Sequence, residues 1–214
     1  TRASLRLVAF LAARKSYQLK SVDITRAFLQ SAVRGPDETV VAITPPPEAN
    51  LPEGQVWLLI RSLYGLRDAP AAWWRTLSTA LVDDFGFTQS KNDPAVFILE
   101  SESAEGGVEG ALALHVDDVL FTGSDVLLDR WSAVVGRFLA KPSLSEDFVH
   151  LGMQLSRDAS GGVVFSQKAY IEGLREIEVP KTSRFSSEQH ASLRGLVGAM
   201  MWVASCTHCD IAVD

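Results

Sequence analysis

The stretch Ala111-Leu112-Ala113-Leu114-His115-Val116-Asp117-Asp118-Val119-Leu120-Phe121-Thr122 sets two apolar runs on either side of a pair of adjacent acids. Short apolar runs joined by a polar break predict a β-hairpin, here with Asp117 and Asp118 at its tip. The flanks must be mostly buried, yet neighbouring carboxylates repel, so each either holds its proton more tightly or recruits a cation. Hard oxygen ligands of this kind suit Mg2+. A polar turn left in solvent accounts for the same two acids, because Asp favours turns. The segment by itself leaves both readings open.

Working outward, Tyr17 to Ile24 alternates as a strand and carries Asp23 near its end. If the two strand ends lie side by side, three carboxylates meet and can hold two cations. Two metals about 3.5–4 Å apart stabilise the attacking and leaving oxygens of a phosphoryl transfer. Apolar spacing predicts a helix over residues 3–14 and another from Pro70 to Phe85, the latter placing Trp73, Trp74, Leu77 and Leu81 on its packed face. Further helices are expected over 125–140, 168–177 and 187–205. Strands are expected at Val40–Ile43, Val56–Ile60 and Ala95–Leu99, with a second hairpin pairing Val149–Leu155 with Val163–Ser166. Pro45, Pro46 and Pro47 end the first of these and open a loop over 44–54. Tyr64-Gly65-Leu66 reads as a turn, and the acidic, Gly-rich stretch 101–110 as a surface loop. The fold class is α+β, an antiparallel sheet with helices packed against it.

The 214 residues are 47% hydrophobic and 21% charged, ordinary for a globular chain able to bury a sizeable core. No apolar run approaches the roughly 20 residues that span a bilayer, and the first residues show no signal-peptide cleavage site. Acids outnumber bases, 26 to 20, for a net charge of −6. That balance runs against a chain whose whole surface grips phosphate backbones. The two cysteines, Cys206 and Cys209, make no disulfide framework and fit a reducing, intracellular setting. With His208 between them they resemble half a zinc site, but the second pair that structural zinc needs is missing. A linker is the better reading.

Five segments, in order, resemble motifs of the copia-type reverse transcriptases of retrotransposons. Ser21-Val22-Asp23-Ile24-Thr25-Arg26-Ala27-Phe28-Leu29 resembles "DVKTAFL". Ser62-Leu63-Tyr64-Gly65-Leu66-Arg67-Asp68-Ala69-Pro70-Ala71-Ala72-Trp73 is similar to "LYGLKQAPRAW". His115-Val116-Asp117-Asp118-Val119-Leu120-Phe121-Thr122-Gly123 resembles "YVDDILLTG", Phe165 to Ile171 the later "ISQ-x-KYI", and Leu196 to Trp202 "LVGSLLYL". The second and third of these are the specific ones.

The resemblance implies a right-hand polymerase fold. Residues 1–166 would be the palm with partial fingers, and 167–214 a thumb-like part leading towards a ribonuclease H region. It implies an RNA-directed DNA polymerase that adds deoxynucleotides to a primer 3′-hydroxyl with two Mg2+ ions, or Mn2+ in their place. Carried over by position, Asp23 and Asp117 bridge both ions, Asp118 is the more peripheral carboxylate, and the carbonyl of Ile24 adds a ligand. Phe28 matches the aromatic gate beneath the sugar, which a 2′-hydroxyl would strike. Tyr64, Gly65, Arg67 and Pro70 line the nucleotide and template, and His115 stands at the primer terminus. Lys141 stands where a general acid protonates pyrophosphate, and Leu151-Gly152-Met153 resembles the primer grip. The implied partners are a primed RNA or DNA template, deoxynucleoside triphosphates and the rest of a Pol polyprotein (fingers, ribonuclease H, integrase), with no membrane. The implied location is a cytoplasmic virus-like particle or the nucleus. From the residues alone, Phe28 equally suits core packing, Lys141 a solvated site, and Trp73 and Trp74 a packed helix face.

The chain also departs from the pattern. His115 replaces a tyrosine, Asp68 a glutamine and Ala71 an arginine, and the last two changes subtract positive or neutral polar character near a triphosphate. The basic fingers segment is expected before residue 1, and Cys206-Thr207-His208-Cys209-Asp210 stands where the family has "TRPD". Two readings follow: a polymerase domain cut from a longer polyprotein, or a relic that keeps the palm fold without catalysis. A non-polymerase metal phosphotransferase shares the acids but leaves the Tyr-Gly-Leu block unexplained. If Phe28 is the sugar gate, Phe28→Val admits ribonucleotides more readily in primer extension; unchanged sugar discrimination removes the role.

Overall fold

The structure, a computed structural model, describes residues 1–36, 38–102, 107–143, 145, 147–177 and 185–208. Packing divides the chain into two compact units, with the break after Ser143. Cys209 and Asp210 lie outside the described residues.

The first unit is built on six antiparallel strands: β1 (Gln18–Ile24), β4 (Thr88–Gln89), β5 (Val96–Glu100), β6 (Val108–His115), β7 (Asp118–Gly123) and β8 (Ala140–Pro142). Their spatial order is β4-β5-β6-β7-β1-β8, so the hairpin β6–β7 sits at the centre and β1 pairs with its second arm. Along β6, Gly110 to Leu114 are all buried, as are Val119 to Gly123 along β7. Both faces of the hairpin are therefore covered, which is why its flanks read as nearly continuous apolar runs.

Three helices belong to this unit: α1 (Arg2–Lys15), α2 (Ala69–Thr79) and α3 (Asp125–Arg137). Pro70 lies in the first turn of α2, where its missing N–H costs nothing. A wider turn over Ala80–Asp84 continues α2 and closes with the Phe85 N–H on the Ala80 carbonyl at 3.1 Å. Trp73, Leu77 and Leu81 from this helix meet Leu112, Leu114, Val119 and Phe121 from the hairpin, and Trp131 and Val134 from α3, in one core. Docking of α3 depends on two glycines. Gly110 and Gly123 face each other across β6 and β7, and a Cβ on Gly110 would meet Leu127 Cδ1 at 2.5 Å and the Thr122 carbonyl at 2.3 Å. Their bare backbone is the seat for Leu127, which is fully buried.

Several boundaries differ from the sequence reading. The strands expected at 40–43 and 56–60 shrink to a two-residue ribbon, β2 (Ala42–Ile43) with β3 (Trp57–Leu58), whose apolar side chains are largely exposed, so no core extends them. The stretch 101–110 yields its end to β6, which starts at Val108. The helix expected over 125–140 stops at Arg137, because Phe138 turns into the core and meets Trp73 edge-on at 5.4 Å. The chain then runs extended as β8, pairing with β1. Pro142 is tolerated there because β8 is an edge strand.

In the second unit, β9 (Phe148–His150), β10 (Met153–Arg157) and β11 (Val163–Ser166) form an antiparallel sheet in the order β11-β10-β9. The strand expected from 149 to 155 is thus two strands, split by a two-residue turn in which Leu151 and Gly152 have φ of 48° and 74°. Positive φ at both central positions matches the tight hairpin turn that the strand twist favours. α4 (Lys168–Glu172) is shorter than the helix expected to 177, whereas α5 (Ser187–Cys206) follows the expectation and starts with a capping box between Ser186 and Gln189. Thr207 donates to Gln167 Oε1 at 2.8 Å, tying the end of α5 to the start of α4.

Because its Cβ would strike backbone as well as Leu127, Gly110→Ala should destabilise the first unit by about 2 kcal/mol or more. Denaturant unfolding followed by tryptophan fluorescence checks this, and unchanged stability would mean that α3 can shift without loss.

Candidate functional site

The site grows out of one register. β1 pairs with β7 so that Asp23 lies opposite Asp118, and β6 pairs with β7 so that His115 lies opposite the same Asp118. Residues facing each other across an antiparallel pair have Cα atoms about 4.5–5.5 Å apart and side chains on one face. Val22 and Ile24 are buried while Asp23 between them is exposed, so alternation along β1 turns its carboxylate outward. Asp118 is half-buried. Asp117 occupies the turn, and its carbonyl accepts from the Ile24 N–H at 2.9 Å. The three acids singled out from the sequence are therefore brought to one end of the central strands.

Charge accumulates there. Burial raises the Asp118 carboxyl above its ordinary range, and the neighbouring Asp117 and Asp23 raise it further, against a lowering pull from His115. The donor set is chemically right for a hard divalent cation, being oxygen-rich and anionic. Among the described residues, no group of three or more His, Cys, Asp or Glu is drawn close enough to hold a metal ion as it stands.

The hairpin tip is also strained. With His115 opposite Asp118, the turn has only Val116 and Asp117 at its centre. Val116 has φ of 58°, a left-handed backbone that a β-branched residue rarely adopts. Both turn carbonyls are engaged: Asp117 by the Ile24 N–H at 2.9 Å, and Val116 by the Trp73 indole N–H at 2.7 Å. Sequence spacing had put Trp73 on a packed helix face. It is indeed buried, but its polar edge reaches the tip.

The other residues marked out by sequence fall on several elements. Lys141 on β8 is paired with Asp23 on the side away from Asp118 and is exposed. Phe28, in a short 3-10 turn after β1, packs against the core and meets the Tyr64 ring at 4.8 Å between centroids. Gly65, with φ of 92°, follows Tyr64 in a turn closed by the Leu66 N–H on the Leu63 carbonyl. A Cβ there would meet nothing, so conformation rather than space calls for glycine. Arg67 and Pro70 are exposed on the same segment. Leu151 and Gly152 form a tight turn of the second unit, and Met153 opens β10 directly after it.

Two residues outside the motif roles turn out to organise the surroundings. Gln30 donates to the Thr25 carbonyl at 2.7 Å and accepts from the Leu139 N–H at 3.0 Å, bridging the end of β1 to the approach of β8. Arg34, its side chain only 8% exposed, pairs with Asp68 at 2.7 Å. Asp68 therefore faces a buried guanidinium, and its charge is largely answered within the protein. No local sequence signal marks either contact, since the partners are far apart in the chain.

Asp118 gives a signed pH prediction. Its carboxyl titrates above the ordinary value of 3.8 in the folded state. The native state therefore holds the proton more tightly than the unfolded chain, and stability falls as pH rises from 3.8 through the folded-state value. In chelator, Asp118→Asn should be more stable than the parent at pH 7. That advantage should vanish as pH approaches the ordinary carboxylate range. Equal stability at pH 7 in denaturant titrations would show that the crowding costs nothing.

Against known proteins, the profile of the family described as "Reverse transcriptase (RNA-dependent DNA polymerase)" matches residues 1–182. Among curated relatives, the chain is 29% identical over 224 residues to the retrovirus-related Pol polyprotein from transposon RE2 of Arabidopsis thaliana, covering 94% of this chain and 14% of that protein. It is 28% identical over 220 residues to the corresponding RE1 polyprotein of the same plant, with the same coverage. It is 24% identical over 235 residues to that from transposon TNT 1-94 of Nicotiana tabacum, covering 98% of this chain and 17% of the relative. The chain thus spans a small part of the relatives' length. A match over most of its residues, with Asp23, Asp117 and Asp118 gathered at one sheet end, places this chain in the reverse transcriptase family, among the copia-type retrotransposon Pol polyproteins.

Proposed function

We propose that this chain carries the nucleotidyl-transfer centre of an RNA-directed DNA polymerase from a retrotransposon Pol polyprotein. The observation that carries the reading is the pairing of Asp23 with Asp118 beside the Asp117 turn. On this reading residues 1–166 are palm with partial fingers, and 167–214 a thumb-like segment.

Asp23, Asp117 and Asp118, with the Ile24 carbonyl, would hold two Mg2+ ions or their Mn2+ substitutes. The metals would activate the primer 3′-hydroxyl and offset charge on the leaving oxygen. The rest falls to the protein. Phe28, propped against Tyr64, forms the floor that a 2′-hydroxyl would strike. Gly65 lets backbone come close to the incoming nucleotide, with Pro70 setting the following helix and Arg67 reaching towards phosphate. His115 stands beside the primer terminus, and Leu151, Gly152 and Met153 grip the primer strand. Lys141 donates a proton to the departing pyrophosphate, which lowers the cost of its developing charge.

The partners are a primed RNA or DNA template, deoxynucleoside triphosphates and the fingers, ribonuclease H and integrase parts of the polyprotein. Among the described residues no helix is long and apolar enough to cross a membrane. A virus-like particle or the nucleus is the proposed place of action.

Primer extension tests the reading at two lengths. The 214-residue chain should extend a primed template poorly, because its acidic surface offers little grip on phosphates. The chain with the upstream part of its polyprotein should extend it in Mg2+, and Asp117→Asn should abolish that. A longer protein that binds Mg2+ and template yet stays inert would sink the polymerase reading and leave a relic fold.

A further inference from the structure

We propose that Trp73 is a positioning residue for the Asp117-Asp118 turn, its indole N–H holding Val116 in the left-handed conformation that aims the two carboxylates. The inference rests on the reading of those carboxylates as the metal-holding pair.

The geometry is specific. Val116 has φ of 58°, and strain of this kind persists only where the surroundings over-determine it. The turn has two carbonyls, and each has one named donor: Ile24 for Asp117 and Trp73 for Val116. Together they fix both peptide planes of a two-residue turn. Beneath the tip, packing offers less support than hydrogen bonding does. Val116 is 45% exposed, and it borders a small cavity of about 250 Å³ lined by Pro70, Trp73, Trp74, Leu77 and Leu114. A side chain poised over a cavity is not wedged in place by its neighbours.

Trp73 itself cannot easily move. It is 1% exposed, and Phe138 meets its ring edge-on at 5.4 Å. Phe138 leads directly into β8, the strand bearing Lys141. The indole thus presents a rigid donor from the helix that follows the Tyr64-Gly65 turn to the strained residue beside the catalytic pair. Tryptophan supplies what phenylalanine lacks, an N–H at the end of a large apolar body. The long run of sequence between Trp73 and Val116 hides this contact from any local pattern.

Three variants of the full chain separate positioning from packing: Trp73→Phe, Val116→Gly and the double change. The first keeps the buried ring and removes the donor. NMR would follow the amides of residues 116–118, the Val116 backbone coupling and Mg2+ titration at those amides. Trp73→Phe should shift the Val116 coupling away from its left-handed value. Mg2+ affinity should fall roughly tenfold, the order expected for loss of one buried hydrogen bond, while the melting temperature changes little. Glycine takes positive φ without strain, so Val116→Gly in the Trp73→Phe background should recover most of that affinity. In the parent polyprotein, Trp73→Phe should lower kcat for primer extension and leave the nucleotide KM nearly unchanged. An unaltered Val116 coupling in Trp73→Phe overturns the proposal, as does a defect that glycine at 116 fails to relieve. Absence of Mg2+ binding in the parent chain would instead count against the polymerase reading, and the coupling would still judge the role of Trp73.

Discussion

Everything at the site hangs on the antiparallel pairing of β1 with β7. That register sets Asp23 against Asp118, lets the Ile24 N–H reach the Asp117 carbonyl, and buries Val22 and Ile24 on the face opposite the acids. Side chains alternate along a strand, so a slip of one residue would send Asp23 into the core and Val22 into solvent. The cost of burying that carboxylate unpaired enforces the register far more strongly than the hydrogen bonds of the ladder do. The apolar residues of the central strands thus hold the acids in place.

Half-burying Asp118 beside two other acids is unfavourable: burial first, then the charges of Asp117 and Asp23, push its carboxyl above the ordinary range. The fold tolerates it because stabilising contacts lie elsewhere. The core joining Trp73, Leu77, Leu81, Leu112, Phe121, Trp131 and Val134 spans both helices and the hairpin, and the glycine pair at its base lets α3 seat against bare backbone. Strain is concentrated at the tip. Positive φ at Val116 belongs with mutual repulsion among the carboxylates as a local cost carried by a well-packed scaffold, a pattern common at functional sites.

The departures from the family pattern read differently once their neighbours are known. Asp68 replaces a neutral residue in the segment after Gly65, and taken alone it adds negative charge where a triphosphate is proposed to bind. Its carboxylate instead faces Arg34, whose side chain is almost wholly buried. A buried guanidinium needs a partner, so Asp68 has a structural reason to be acidic. The exposed position of Ala71 shows no comparable compensation.

Sequence alone determined the paired acids at the tip, the order of the motifs, the helix beginning near Pro70 and the central hairpin. These are written in local terms: short continuous apolar runs, adjacent acids, a proline suited to a first helical turn. Tertiary structure decided which strands are neighbours, and so whether Asp23 meets Asp118 at all. It also turned 140–142 from the end of a helix into an edge strand, because Phe138 gains more by packing on Trp73 than by continuing the helix. It split 149–155 at Leu151-Gly152, and it directed an indole presumed to serve packing alone at the Val116 carbonyl. Each of these outcomes depends on contacts between residues distant in the chain. Such contacts are selected by burial of the whole core, and no window of sequence contains that information.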